Sequence, residues 1–162
     1  MKKLGLLLVL GALVVGCGGK EKKEESSDEG FQMSRTKEEV KPEASSSGVP
    51  VDMSNKGVGP VTSVDFGQEI DADLAAKGQA TFQSICTACH MAEQRMIGPA
   101  LKGVFDRRSP EWVMNMIMNP DGMLKEDPIA KALLVEYNNA IMLNQNLTQE
   151  QARAVAEYLR TL

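Results

Sequence analysis

The chain has 162 residues, which is enough for one modest domain and some additional segments. Its formal net charge at pH 7 is −4, because 22 acidic side chains outnumber 18 basic ones. A nucleic-acid partner requires a basic surface, so this charge argues against a nucleic-acid-binding protein.

The N-terminus is typical of a segment that directs export. Two lysines precede an almost purely apolar run from Leu4 to Val15, which is too short to span a bilayer comfortably. The run ends in VVGC, which resembles the lipobox of bacterial lipoproteins, where the cysteine is diacylated. We therefore expect residues 1–16 to be a signal peptide and Cys17 to carry lipid that anchors the protein to the periplasmic or outer face of a membrane. An ordinary signal peptide or an uncleaved anchor is the alternative.

Residues 17–68 are predicted to form a flexible tether between the lipid and the folded domain. The first part of this segment is charged, contains Ser, Gly and Pro, and shows no helical or strand period. Such a composition cannot bury enough apolar surface to offset the entropy lost on ordering. Residues 48–68 carry more valines, and the sequence leaves open whether they pack on the domain.

Residues 69–162 show helical patterns and no strand alternation, which predicts an all-α domain with about four helices. The first helix is expected to have Asp73 as its N-cap. Ser109 and Asp127 each precede a proline, which is favoured at the first helical position, and so predict two further helix starts. The helix after Ser109 is expected to end at the following Asn-Pro pair. A capping box at Thr148 opens the last helix.

The stretch CTACH places Cys86 and Cys89 directly before His90, the only histidine of the chain. Thiols at i and i+3 lie near each other on one helical turn, so both can bond to one porphyrin while the next residue presents an imidazole to its iron. A zinc site would need more ligands than one histidine and one cysteine pair supply. A thioredoxin-like dithiol would follow a strand, and none is predicted here. The motif therefore favours covalent haem attachment over zinc, a redox dithiol or a chance coincidence.

With this motif placed after a first helix, the domain resembles a class I (mitochondrial-type) cytochrome c with one haem. Further residues carry the resemblance: the GPAL loop at residues 98–101, Gly78 and Phe82 in the first helix, and the Tyr158-Leu159 pair in the last helix. The resemblance implies a small cytochrome c fold, in which the helices wrap around one covalently bound haem c. It also implies that the first helix packs against the last.

The resemblance assigns roles to residues of the motif and of the GPAL loop. Cys86 and Cys89 are expected to form the thioether bonds, and His90 is expected to be the proximal axial ligand of the iron. The Pro99 carbonyl is expected to accept a hydrogen bond from the second ring nitrogen of His90, which fixes the orientation of the ligand. Leu101 is expected to line the haem pocket.

The sixth ligand implied by the resemblance is a methionine in the loop before the last helix, which is Met142 in this chain. Members of the family usually carry a proline directly after that methionine, whereas this chain has Leu143. Met123 is the rival candidate, and most other methionines are expected to be core or linker residues. Trp112 resembles the tryptophan that lies near a haem propionate in the family.

The resemblance implies a one-electron carrier rather than an enzyme. Iron with histidine and methionine ligands has no open position, so it changes oxidation state without binding a small-molecule substrate. The implied redox partners are a quinol-oxidising complex upstream and a terminal oxidase or periplasmic reductase downstream in a respiratory chain. Two alternatives remain: a haem-based enzyme or gas-binding sensor with an open sixth position, and a fixed cytochrome subunit of a larger oxidase or reductase complex.

Overall fold

A computed structural model of the protein describes residues 48–162, so the predicted signal peptide, Cys17 and the first part of the tether lie outside the described residues. The described part contains five α-helices and, apart from one isolated bridge, no strand pairing. None of these helices is long and apolar enough to cross a membrane. In chain order the helices are α1 (Ala72–Thr81), α2 (Pro110–Met118), α3 (Pro120–Glu126), α4 (Pro128–Glu136) and α5 (Gln149–Leu159).

Three predicted helix starts are confirmed by cap hydrogen bonds. The Ser109 hydroxyl and the Asp127 carboxylate accept backbone N–H groups from the first turns of α2 and α4, at 3.1 and 2.7 Å. Thr148 and Gln151 form the predicted capping box, in which each side chain accepts the backbone N–H of the other residue. These starts are local features, so the sequence is sufficient to locate them.

The start of α1 is a correction, because its N-cap is Asp71 and not Asp73. The Asp71 carboxylate accepts the Leu74 N–H at 2.9 Å, while the Asp71 N–H donates to Glu157 on α5 at 2.9 Å. The second contact holds Asp71 in the extended conformation that an N-cap requires. Asp73 instead lies in the first turn, where an acidic side chain is favourable for the helix dipole.

Helix α3 is a second correction, since the sequence predicts only a helix end at this point. Pro120 cannot continue α2, but it occupies the first position of α3, where its fixed φ suits a helix. Asn119, at the cap position, makes no side-chain cap bond, because its amide donates to the Val58 carbonyl at 3.0 Å. That partner is 61 residues away along the chain, so the contact is not visible in the local sequence.

Helices α1 and α5 cross in close contact, as the resemblance implies. A Cβ atom at Gly78 would lie 1.9 Å from the Ala154 carbonyl oxygen, so only glycine lets the two backbones come this close. The rings of Phe82 and Tyr158 pack beside this contact with their centroids 5.3 Å apart. Leu159 is buried in the same core. The crossing fixes the end of α1, from which the chain continues into the CTACH motif.

The segment 48–68, called the strap below, packs on the helical domain. Its backbone binds the buried amide of Asn115 on α2. Asn115 Oδ1 accepts the Val61 N–H, and Asn115 Nδ2 donates to the carbonyls of Lys56 and Val61, each at 2.9 Å. The side chains of Val49 and Val61 are buried in the core. The structure thus answers the question that the sequence leaves open: from residue 48 onward, the chain assigned to the tether is part of the folded unit.

A buried charged group on α5 holds the end of the strap. Glu157 is fully buried, and its carboxylate pairs with Arg153 and Arg160, each at 2.5 Å. Both guanidinium groups stack on the ring of Phe66, 4.6 and 4.9 Å from its centre, and donate to strap carbonyls. Burial acts to raise the pKa of Glu157, but the Asp71 N–H and the two arginines outweigh it, so the pKa is lowered from its ordinary value.

Candidate haem-binding site

The two cysteines of the CTACH motif lie where the first helix ends. Helix α1 runs into a π-helical turn, Phe82–Cys86, after which the N–H groups of Cys89 and His90 donate to the Cys86 carbonyl at 3.1 and 2.9 Å. Neither thiol is in a disulfide. Burial, with a smaller contribution from Cys89, raises the pKa of Cys86, whereas redox dithiols have lowered pKa values. Two unpaired thiols thus lie in the turn that leads directly to His90.

His90 is held in one orientation by the GPAL loop. Its Nδ1 lies 3.0 Å from the Pro99 carbonyl oxygen. A carbonyl can only accept a hydrogen bond, so Nδ1 carries the proton and the lone pair of Nε2 is left for a metal. The backbone of Gly98 lies against the ring, because a Cβ there would be 2.4 Å from His90 Cε1. The contact predicted between His90 and Pro99 is therefore present.

Residues 91–101, called the proximal loop below, are closed by hydrogen bonds across their base. The N–H groups of Leu101 and Lys102 donate to the Ala92 carbonyl at 3.0 and 2.7 Å. Arg107 adds two bonds to neighbouring carbonyls at 3.1 and 3.2 Å. The half-buried side chain of Leu101 packs on the core, and its contact with a haem stays a prediction. The loop that supports His90 is thus closed by backbone hydrogen bonds and by the Arg107 side chain.

Trp112 is buried on α2, and its indole N–H donates to the Asp127 carboxylate at 3.1 Å. Asp127 also caps α4 and accepts the side-chain amide of Asn55, in the strap, at 2.7 Å. An indole has a single donor, so in this arrangement it is not available to a haem propionate. The position of Trp112 near a propionate stays a prediction. The sequence identifies Asp127 only as a helix cap, and no local pattern indicates its second role.

The two candidate methionines lie in different environments. Met123 on α3 has no solvent exposure, and its sulfur accepts the Val58 N–H of the strap at 2.9 Å. Met142 is half-buried in the irregular segment of residues 137–147, called the distal loop below. Because the Met123 thioether is already bound in the core, it is poorly placed to ligate iron. The environment of Met142 therefore favours it as the sixth ligand, which stays a prediction.

Comparison with known proteins agrees with the geometry of the CTACH motif. A sequence profile of the cytochrome c family matches residues 75–162. The chain belongs to the cytochrome c family. Two proteins named cytochrome c2 from Rhodopseudomonas palustris are 31% and 51% identical to this cytochrome over 112 aligned positions, which cover 54% of this chain and 97% of each relative.

Solved structures of cytochromes share the fold. A cytochrome c from Rhodothermus marinus has a TM-score of 0.62 at 48% identity, covering 64% of this chain and 88% of that one. An engineered form of the Rhodothermus marinus cytochrome, bound to a carbene intermediate, has a TM-score of 0.59 at 48% identity and the same coverage. The all-α cytochrome c fold predicted from the sequence is therefore confirmed, with five α-helices in the described residues where about four were expected.

Membership of the family implies one covalently bound haem c, and the residues of this cytochrome fit that group. Two unpaired thiols precede an imidazole whose Nε2 is left for iron. Among residues 48–162, no group of three or more His, Cys, Asp or Glu side chains could hold a metal ion without a porphyrin. When bound, the haem supplies an iron that gains or loses one electron. The relatives of this cytochrome thus support its assignment as a haem c electron carrier.

Proposed function

We propose that this cytochrome is a one-electron carrier whose haem iron is bound by His90 and Met142. The observation that supports the proposal most strongly is the 3.0 Å contact between His90 Nδ1 and the Pro99 carbonyl. Such a bond fixes the orientation of the imidazole and raises its basicity as a ligand. With Met142 on the opposite side, no coordination position is left for a substrate, so the protein is a carrier and not an enzyme.

The proposal includes an anchor on the outer face of a membrane through lipid on Cys17. It is supported by the apolar run that ends in VVGC. The strap belongs to the folded domain, so the tether that the composition predicts is proposed for residues 18–47. A flexible chain of that length would average about 30 Å from end to end and could stretch to about 100 Å. Mass measurement of the intact protein, and loss of a Cys17→Ser variant from the membrane fraction, test the anchor.

The proposed partners are components of a respiratory chain, with a quinol-oxidising complex upstream and a terminal oxidase or periplasmic reductase downstream. Residues 71–162 carry nine Lys and Arg against eleven Asp and Glu, so no strongly basic docking ring is present in this part of the sequence. Docking is therefore expected to be weak and short-lived, as is usual for redox encounters. A fixed subunit would instead copurify with a larger complex after detergent extraction.

The absorption spectrum of the ferric protein tests the proposed ligation. Methionine ligation gives a weak long-wavelength charge-transfer band. We expect this band in the wild type and in Met123→Ala, and we expect its loss in Met142→Ala. A high-spin ferric spectrum, with ready binding of carbon monoxide by the reduced protein, would show an open sixth position and would support a haem enzyme or gas sensor instead.

A further inference from the structure

We propose that Arg95 is a positioning residue that joins the chain segment holding His90 to the segment holding Met142. The proposal rests on the pair of iron ligands in the proposed function. Its basis is a set of contacts between the proximal loop and the end of α4. The two sides of these contacts are 41 residues apart along the chain, so only the folded structure brings them together.

Arg95 makes three contacts at the end of α4. Its Nη1 donates to the Glu136 carboxylate at 2.9 Å, and its Nη2 donates to the Glu136 backbone carbonyl. Its guanidinium carbon lies 4.1 Å from the centre of the Tyr137 ring, within cation–π range. A cation is also favourable there because the last carbonyls of a helix carry partial negative charge. One side chain therefore holds a carboxylate, a backbone carbonyl and a ring.

Arg95 belongs to the part of the proximal loop that supports His90. The next residue, Met96, donates its N–H to the Gly98 carbonyl at 3.0 Å. Gly98 in turn donates to the Cys89 carbonyl at 2.8 Å and lies against the imidazole ring. These bonds restrict the movement of Arg95 relative to His90. The end of α4 is thus connected to the support of the proximal ligand.

The distal loop depends on its first residues for its position. Asn138 and Asn139 have φ angles of 56° and 59°, in the left-handed region, directly after α4. Beyond them, the loop makes one hydrogen bond to the rest of the described chain, from the Asn144 amide to the Met118 carbonyl at 3.4 Å. Leu147, at the far end of the loop, packs on the core, and between the two ends so few bonds are made that the place where α4 ends helps to set the region that Met142 can reach.

An arginine suits this position better than a lysine. The planar guanidinium can bind two acceptors and stack on a ring at the same time, whereas an ammonium cannot. The side chains of Arg95 and Glu136 are 48% and 34% exposed, so solvent screens the ion pair and the whole fold gains little stability from it. We therefore expect the loss of Arg95 to affect the distal loop more than global stability.

Displacement of Met142 by added imidazole tests this role in the ferric full-length holoprotein. The rate is followed by loss of the charge-transfer band of methionine ligation. Arg95→Ala should raise the rate about three- to tenfold, because it removes both hydrogen bonds to Glu136 and the stacking on the Tyr137 ring. Arg95→Lys and Glu136→Gln, which keep part of the contact, should raise it less. Lys102→Ala is the matched control: it removes the 2.7 Å pair with Glu93 and should leave the rate unchanged.

Two results would overturn this inference alone. One is an equal rate of imidazole displacement in the wild type and in Arg95→Ala. The other is an increase of that rate in Lys102→Ala as large as the increase in Arg95→Ala. If Arg95→Ala does not yield folded holoprotein, Arg95→Lys and Glu136→Gln are judged by the same criteria. A wild-type protein without the charge-transfer band would instead overturn the proposed ligation by Met142, and this inference with it.

Discussion

The strap and the distal loop are both irregular, but they are held in different ways. The backbone of the strap is bound by the buried amide of Asn115, by the buried thioether of Met123 and by the side chains of Arg153 and Arg160. Beyond Asn139, the distal loop makes one hydrogen bond to the rest of the described chain. Backbone without secondary structure is therefore ordered where helices supply buried partners for its N–H and C=O groups.

This difference matches the roles of the two segments. The strap covers the core at Gly57 and Val58, which lie against Trp112 and Met123. The distal loop presents Met142, and its order is proposed to depend on the iron bond and on Arg95. Segments with few buried contacts open at low free energy, so added ligands are expected to reach the iron through the distal loop.

A glycine substitution in the strap has the largest expected effect on stability. Gly57 has a φ of +74°, and a Cβ there would lie 2.6 Å from the Met123 sulfur. Gly57→Ala should lower the free energy of unfolding by about 2–4 kcal/mol, because left-handed strain and overpacking of a buried side chain add together. Urea denaturation of the full-length holoprotein measures this loss.

The matched control for this substitution is Gly67→Ala. Gly67 has a φ of +66°, but nothing lies within 4 Å of an added Cβ. This variant should lose only about 1 kcal/mol, from the left-handed backbone alone. Equal losses in the two variants would show that the strap is not packed on Met123 as described.

Loss of the amide that binds the strap has the next largest effect. Asn115→Ala leaves the N–H of Val61 and the carbonyls of Lys56 and Val61 without their partner, and should lower the free energy of unfolding by about 2–3 kcal/mol. Asn144→Ala in the distal loop removes a 3.4 Å bond at an exposed site and should change it by less than about 0.5 kcal/mol. Urea denaturation compares the two variants, and a similar cost in both would remove the contrast between the segments.

The acid dependence of stability tests the end of the strap that Glu157 holds. Its pKa is lowered in the folded protein from an ordinary value of 4.5, so the unfolded chain binds the proton more readily. The stabilisation is therefore present above this ordinary value and is lost as the pH falls through the lower folded-state pKa. Glu157→Gln should flatten this part of the curve of unfolding free energy against pH. An unchanged slope in the variant would contradict the assignment.

The smallest expected effect lies in the distal loop. Leu143 is 69% exposed, and its N–H donates no hydrogen bond within the described part of the chain. Leu143→Pro reduces the freedom of the unfolded chain and should raise the free energy of unfolding by about 0.5 kcal/mol. It should also slow displacement of Met142 by imidazole about twofold. Faster displacement would show that the loop needs a φ angle that proline cannot adopt.

The sequence predicts the parts of the site whose residues are close together along the chain. Cys86, Cys89 and His90 form one short motif, and Pro99 follows within the same loop, where it lies 3.0 Å from the imidazole. The starts of α2, α4 and α5 are predictable for the same reason, because a cap residue binds an N–H group in the next turn. Local chemistry is sufficient for these features.

The remaining features depend on residues that are far apart along the chain. The bonds between Asn115 and the strap join residues 54 and 59 positions apart, and no period or cap signal indicates such a pairing. The bond between Trp112 and Asp127 is similarly invisible, because the sequence marks Asp127 only as a helix cap. The contrast between the two methionines also needs the fold, because it depends on which thioether is buried.

The proton NMR spectrum of the reduced full-length protein tests most directly whether His90 and Met142 hold the iron. The methyl group of an iron-bound methionine lies over the porphyrin, whose ring current moves its resonance far upfield. We expect one such resonance in the wild type and in Met123→Ala, and none in Met142→Ala. Its absence from the wild type, or its persistence in Met142→Ala with loss in Met123→Ala, would contradict the proposed ligand pair.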